Sequence, residues 1–309
     1  VKRKFSVLED REVTHVFVIT NHKGGTGKST TATNVAFGLT RALQQAGVER
    51  HQVLLIDTDS QSHATLLTTG RKDFGRDNSL YTVVTAERKH AATALLNCVV
   101  PSQWGEALHV LPASALLEAA ERELIAVTGA PYRLSEPLNI VAAQYGAVVI
   151  DTRPSFSLLT EMALIAARDA VVPVEPRYLE TMRLLSVLNK IEDVKEGWQR
   201  PALNLSHILV TKCDARVKGH AKTVEKIKAH PVLGRLVAEY IPTNEAVAYS
   251  HHHHQSIFEY DPHCTASRAY AQFVALLAKS ILKAVHDGRQ TNAPGKRVVL
   301  EAEAYIDQQ

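Results

Sequence analysis

Val16-Phe-Val-Ile-Thr20-Asn-His-Lys23-Gly-Gly-Thr-Gly-Lys28-Ser-Thr30 decides the fold. Val16–Thr20 reads as a buried strand, and Ser29–Gln45 carries a helical pattern. Between them stand Gly24, Gly25, Thr26 and Gly27, followed by Lys28, Ser29 and Thr30. A strand, a glycine-rich turn, a Lys-Ser pair and a helix in that order make a P-loop. The glycines let backbone N–H groups turn towards an anion with no Cβ in the way. The start of the helix adds partial positive charge. Lys28 is expected to reach the β and γ phosphates of a nucleoside triphosphate, and the Ser29 hydroxyl to hold Mg²⁺. The spacing departs from the simplest G-x-x-x-x-G-K-S/T pattern, whose first glycine would fall at His22.

Working outward, Val53–Asp57, Leu108–Leu111, Val148–Asp151, Ala170–Val174 and His207–Thr211 are apolar runs of strand length, separated by helical stretches. Unbroken Val/Ile/Leu runs suit strands buried on both faces. The expected class is α/β: a doubly wound, mostly parallel sheet with helices on both faces. Two of these runs end on carboxylates, at Asp57-Thr-Asp59 and at Asp151. Ligands of such sheets gather outside the carboxyl ends of the strands. A carboxylate there can hold Mg²⁺ or orient an attacking water. Each is also an ordinary residue for capping the next helix; the upstream P-loop favours the functional reading of Asp59 and Asp151.

These residues resemble a known family. Lys23-Gly-Gly-Thr-Gly-Lys28-Ser-Thr30 is similar to the deviant Walker A motif of the ParA/MinD ATPases. Ile56-Asp57-Thr-Asp59-Ser-Gln61-Ser-His-Ala-Thr65 resembles their first switch, DxDPQGNAT, and Ile150-Asp151-Thr-Arg-Pro154 their IDTPP motif. Val172-Pro-Val-Glu-Pro176, Thr211-Lys-Cys-Asp214, Ile241-Pro242 and Tyr260-Asp-Pro262 follow in the family's order, so the likeness spans roughly residues 14–285. It implies a P-loop ATPase domain over 13–286, between an extension at 1–12 and a tail at 287–309. It also implies ATP and Mg²⁺ as ligands and a homodimer closed by ATP, in which Lys23 crosses to the partner's nucleotide. By the same resemblance Lys23, Lys28 and Asp59 are the catalytic set and Asp59 orients the water. Ser29, Asp57 and Asp151 lie at the metal, and Asp214 with Pro242, Thr243 and Asn244 lies at the adenine. The implied function is segregation of plasmid or chromosomal DNA with a ParB-like partner, in the cytoplasm on the nucleoid. Two alternatives stay open: a related ATPase positioning a protein cargo, and a nucleotide-binding scaffold with little turnover.

The chain departs from the pattern at two switch positions. Ser60 stands where the family has Pro, and Arg153 stands where it has the first Pro of its pair. Thr243 and Ala246 occupy places where the family often carries arginines for DNA. Other cations are available. Val217–His230 reads as a helix with Lys218, Lys222 and Lys226 on one face, a candidate surface for non-specific DNA. Residues 201–289 hold 11 Lys/Arg against 7 Asp/Glu, which places the chain's basic excess in that part. A solvated helix face is the competing reading.

Composition bounds the rest. The chain has 309 residues, 45% hydrophobic, enough for a large core, and a net charge of +3 that permits an acidic partner. Cys98, Cys213 and Cys264 are far apart and form no CxxC pair, so an iron–sulfur carrier is not expected. No apolar run reaches the roughly 18 residues of a membrane span, and Val298–Ile306 is too acidic for a basic amphipathic anchor. Residues 68–80 and His251–His254 read as exposed loops.

Overall fold

Eight apolar segments pair into one sheet: β1 (His15–Ile19), β2 (Val53–Asp57), β3 (Val100–Ser102), β4 (Gly105–Leu111), β5 (Ala147–Asp151), β6 (Asp169–Val174), β7 (Asn204–Cys213) and β8 (Val237–Pro242). They belong to a computed structural model that describes residues 14–200, 202–214 and 216–290. The order is β3-β4-β2-β5-β1-β6-β7-β8. All neighbours are parallel except β3 and β4, which form an antiparallel edge.

The central strands β1, β2 and β5 are buried along their whole length. Their side chains alternate between two cores, as a pleated strand requires. Phe17, Ile19, Leu55 and Val149 face one core, which they share with helix α1 (Lys28–Gln45) and the long helix Thr265–Gln290. Val18, Leu54, Ile56, Val148 and Ile150 face the other, beneath helices Leu117–Leu124 and Leu158–Ala166. Each fully buried Val, Leu or Ile contributes about 1.5–3 kcal/mol, so the sheet is a rigid base for its strand ends. Gly38 lets α1 approach the long helix closely: a Cβ there would meet Val274 Cγ2 at 2.6 Å.

The register positions the site. Ile19 and Asp57 both pair with Asp151, so the ends of β1, β2 and β5 lie side by side. The chain reaches β2 and β5 on one side of β1 and β6 on the other, which puts the end of β1 at the topological switch point.

Several expectations need correction. The edge strands β3 and β8 are additional to the expected runs. β3 is three residues long and contains Pro101, and β8 is broken by Glu239-Tyr240, so neither shows the apolar run of a buried strand. Residues 68–80 are not one loop: helix α2 (His63–Thr69) ends inside them and a 3₁₀ turn follows at Arg76–Asn78. His251 and His252 close helix Glu245–His252 rather than forming an open loop. The His254 backbone carbonyl accepts from Trp104 Nε1 at 2.7 Å, so that end is packed. Helix Thr265–Gln290 runs through Asp287, where the tail was expected to begin. The extension at 1–12 and residues 291–309 lie outside the described residues.

Candidate nucleotide-binding site

The loop after β1 is shaped by its glycines. Gly25 and Gly27 have φ of 79° and 84°, values that a Cβ makes costly. Gly27 caps α1, and the helix has neither a side-chain cap nor an acidic residue in its first turn. Its positive end is therefore left to an external anion. A Cβ built on Gly24 or Gly25 would meet nothing within 4 Å, so there is open space beside the loop. Asn21 fixes the entry by donating to the Pro173 carbonyl at 2.7 Å and accepting from Lys23 N–H at 3.1 Å. Thr211 on β7 fixes the other side, donating to the Thr26 carbonyl at 2.8 Å.

Lys28 is buried, and its Nζ donates to the Lys23 carbonyl at 2.8 Å. Burial lowers its pKa, against the opposing pull of Asp151 and Asp59. An arriving phosphate would reinforce the charged form. Lys23 stands at the loop's entrance with its side chain about a quarter exposed, 3.6 Å from Glu175. Glu175 also receives Lys212 at 3.1 Å and Arg177 at 3.0 Å. Three cations thus surround one nearly buried carboxylate, whose pKa falls below the usual value although burial alone would raise it.

Asp57 and Asp151 are both fully buried at the ends of adjacent strands. Asp57 accepts from Thr65 N–H at 2.8 Å, the Thr65 hydroxyl at 2.7 Å and Asp59 N–H at 3.0 Å. Burial outweighs these bonds and pushes its pKa up to about 6. Neither oxygen of Asp151 has a hydrogen-bond partner. Burial, then the neighbouring Asp57, drives its pKa well above the usual carboxylate range, and the nearby Ser29 and Lys28 only partly oppose this. An orphaned carboxylate beside a serine hydroxyl at the mouth of a phosphate cradle fits Mg²⁺, a hard cation that takes oxygen ligands. Asp59 is 7% exposed, and its side chain accepts from Gln61 N–H at 3.0 Å.

On the far side, Cys213 pairs with Pro242, so Asp214 and Pro242–Asn244 lie together beyond the ends of β7 and β8. Thr243 N–H donates to the Cys213 carbonyl at 3.0 Å. Asn244 caps the next helix by accepting from Ala246 N–H at 2.8 Å. Asp214 is held by Arg216 at 2.8 Å, which lowers its pKa to about 2. Lys218, Lys222 and Lys226 form a separate surface, exposed on helix Lys218–Ala229 above buried Thr223 and Ile227.

The family described as an AAA domain matches residues 14–205. The chromosome partitioning protein ParA of Caulobacter vibrioides is 32% identical over 282 residues, 90% of this chain and 97% of that one. The chain belongs to the ParA/MinD family. The chromosome-partitioning ATPase Soj of Thermus thermophilus is likewise 32% identical, over 87% of this chain and 96% of its own length. A crystal structure of cobyrinic acid a,c-diamide synthase from Mycobacterium smegmatis, with bound ATP analogue and magnesium, superposes with a TM-score of 0.67. It is 26% identical and covers 86% of this chain and 95% of its own. As in other members of the ParA/MinD family, the fold is that of a P-loop ATPase. No helix among the described residues is long and apolar enough to cross a membrane.

Three groups of this site were missed in the sequence. Glu175 lies inside a quoted motif but shows no partner until β6 and β7 align. Thr65 likewise gains meaning only when α2 turns it back to Asp57. Lys212 reaches the Gly25 carbonyl at 2.5 Å from a residue with φ of 52°, which no sequence pattern announces.

Proposed function

We propose that this chain is a DNA-partition ATPase that closes into a homodimer on Mg²⁺·ATP, binds DNA without sequence preference, and is discharged by a ParB-like partner. The observation that carries the reading is the pair of lysines five residues apart. Lys28 is turned back into its own loop, and Lys23, about a quarter exposed at the entrance, lies beside Glu175. A monomeric nucleotidase has no need of the second. Two such faces meeting across a two-fold axis would set each Lys23 against the other subunit's ATP. There it would neutralise charge developing on the phosphates, as an arginine finger does.

The remaining roles follow from position. Lys28 and the loop N–H groups hold the phosphates. Ser29 and Asp151 supply oxygens for Mg²⁺, which when bound would screen the β and γ phosphates. Asp57 anchors the loop that carries Asp59 and lies one residue pair from the metal position. Asp59 would orient the attacking water. Asp214, Pro242, Thr243 and Asn244 would flank the base. The dimer would carry Lys218, Lys222 and Lys226 to nucleoid DNA.

Light scattering tests the dimer. The wild type should be monomeric with ADP and dimeric with a slowly hydrolysed ATP analogue. Lys23→Gln should keep most of its ATP affinity but lose hydrolysis and the dimer. A Lys23→Gln protein that dimerises and hydrolyses normally would sink the reading. DNA affinity in the ATP state should fall steeply with salt, and changing all three lysines to Ala should flatten the slope by up to about three units. An unchanged slope would move the DNA face to the groove between α1 and the long helix, where Arg41, Arg268 and Lys279 stand.

A further inference from the structure

The two positions at which the chain departs from its family's switch motifs are held by one helix. Ser60, next to Asp59, donates its hydroxyl to Glu118 Oε1 at 3.1 Å. Arg153, two residues after Asp151, donates Nη1 to Glu121 Oε2 at 2.7 Å. Glu118 and Glu121 are one turn apart on helix Leu117–Leu124, so their side chains share a face. The adjoining face, Leu117, Ala120 and Leu124, is buried in the core, which anchors the helix.

Glu121 does more than pair with Arg153. Its other oxygen accepts from the N–H of Leu159, the second residue of helix Leu158–Ala166, at 3.2 Å. One carboxylate therefore grips both ends of the 153–159 segment. Within that segment Phe156 packs at a tilt against His22 of the P-loop, with 5.4 Å between ring centroids. A chain of contacts thus runs from the phosphate loop through the second switch to the helix, and on to the first switch beside Asp59.

Proline would restrict these loops through the backbone, by fixing φ near −65°. Ser and Arg leave φ free, but both carry side chains that reach the same rigid helix. We propose that Glu118 and Glu121 are positioning residues for hydrolysis, holding both switch loops by side-chain tethers in place of a backbone restraint. The Arg153–Glu121 pair is about four-fifths shielded on both sides, so solvent screens it less than a surface pair. This inference rests on the hydrolysis proposed above, and its test has one arm that does not.

The experiment compares Arg153→Ala, Arg153→Pro, Glu121→Gln and Glu121→Gln/Arg153→Pro with the wild type, alongside Ser60→Ala and Ser60→Pro. Steady-state hydrolysis and ATP affinity are measured for each. Arg153→Ala and Glu121→Gln should lower kcat roughly tenfold and leave ATP affinity nearly unchanged, because a misplaced water-orienting group costs rate rather than binding. Arg153→Pro should retain most of the rate, and in the double variant it should restore what Glu121→Gln lost. Ser60→Ala should show a smaller loss, recovered by Ser60→Pro. If proline is as damaging as alanine at 153, or fails to rescue Glu121→Gln, the tether idea is overturned. Hydrogen exchange over 58–66 and 152–159 reads the tethers with no hydrolysis at all. It should quicken in Arg153→Ala and Glu121→Gln, return in the proline variants, and stay unchanged across the β-strands. Unchanged exchange in Arg153→Ala overturns the inference even if the ATPase reading stands. Quickened exchange in these variants, together with a wild type that does not hydrolyse ATP, would support the tethers and overturn the ATPase reading instead.

Discussion

The ends of β2 and β5 carry the same residue, in paired register, with the same complete burial, and they do opposite things. Asp57 spends its oxygens on Thr65 and Asp59 and so builds the loop that follows it. The Asp151 carboxylate has no hydrogen-bond partner within reach, and of the nearby groups only the Ser29 hydroxyl and Lys28 favour its charged form. A buried carboxylate with satisfied oxygens is part of the fold, whereas one without partners costs stability unless something binds it. The difference supports the proposed cation role of Asp151, and it makes Asp57 the one that shapes its surroundings. It also shows that burial and residue type together do not assign a role; the hydrogen-bond accounting does.

The contrast can be broken most sharply at Asp151. Asp151→Asn should weaken Mg²⁺-dependent nucleotide binding roughly a hundredfold while leaving metal-free binding nearly intact. Titration calorimetry with and without Mg²⁺ checks it, and equal losses in both would remove Asp151 from the metal.

Next comes stability, where the two aspartates should differ in sign. Asp57→Asn replaces an acceptor with an amide that faces the N–H of Asp59 or Thr65, and should destabilise the protein by about 3 kcal/mol. Asp151→Asn removes an unpaired buried acid and should stabilise the nucleotide-free protein by about 1 kcal/mol. Urea denaturation of both variants decides the point. Equal destabilisation would mean that Asp151 is as structural as its neighbour.

The smallest effect is on pH dependence. Both carboxyls hold a proton more tightly folded than unfolded, Asp57 with a pKa raised from 3.8 to about 6. The Asp57 contribution is therefore fully present below about pH 4 and is lost as pH rises through about 6, and the Asp151 contribution is likewise present at low pH and lost as pH rises through its own raised folded value. Either Asn variant should flatten that part of the stability profile. With Mg²⁺ and nucleotide added, only the Asp57 share should remain. A wild-type profile that rises with pH across this window in parallel with both variants would contradict the shifts.

Much of this site is legible in the sequence because its physics is local. The glycine positions, Lys28, Ser29 and the helix that follows belong to one continuous stretch, and the acidic strand ends announce themselves by following unbroken apolar runs. The rest depends on contacts between distant segments. Glu118 and Glu121 read as ordinary surface residues of an amphipathic helix until β4, β2 and β5 stand side by side and bring Ser60 and Arg153 to them. The sequence does mark the two departures from the family pattern, but not what replaces the missing prolines. The distinction between Asp57 and Asp151 is equally hidden, since it turns on where the first turn of α2 places Thr65. The histidine run misleads for a related reason: polar residues usually solvate a loop, whereas here they close a helix against Trp104.

The strand order carries a last consequence, for how the chain comes to be folded. β5 lies between β1 and β2, yet it is made roughly 90 residues after β2. At about 5–20 residues per second, β1 and β2 wait several seconds during synthesis with their facing edges unpaired. Pairings of such long sequence separation also close slowly once the chain is free. Asp151, the proposed metal ligand, is at the tip of the strand that fills the gap. The catalytic centre therefore cannot exist in any partly synthesised or partly folded form that lacks the middle of the sheet, and nucleotide binding should report on completed folding as a single event.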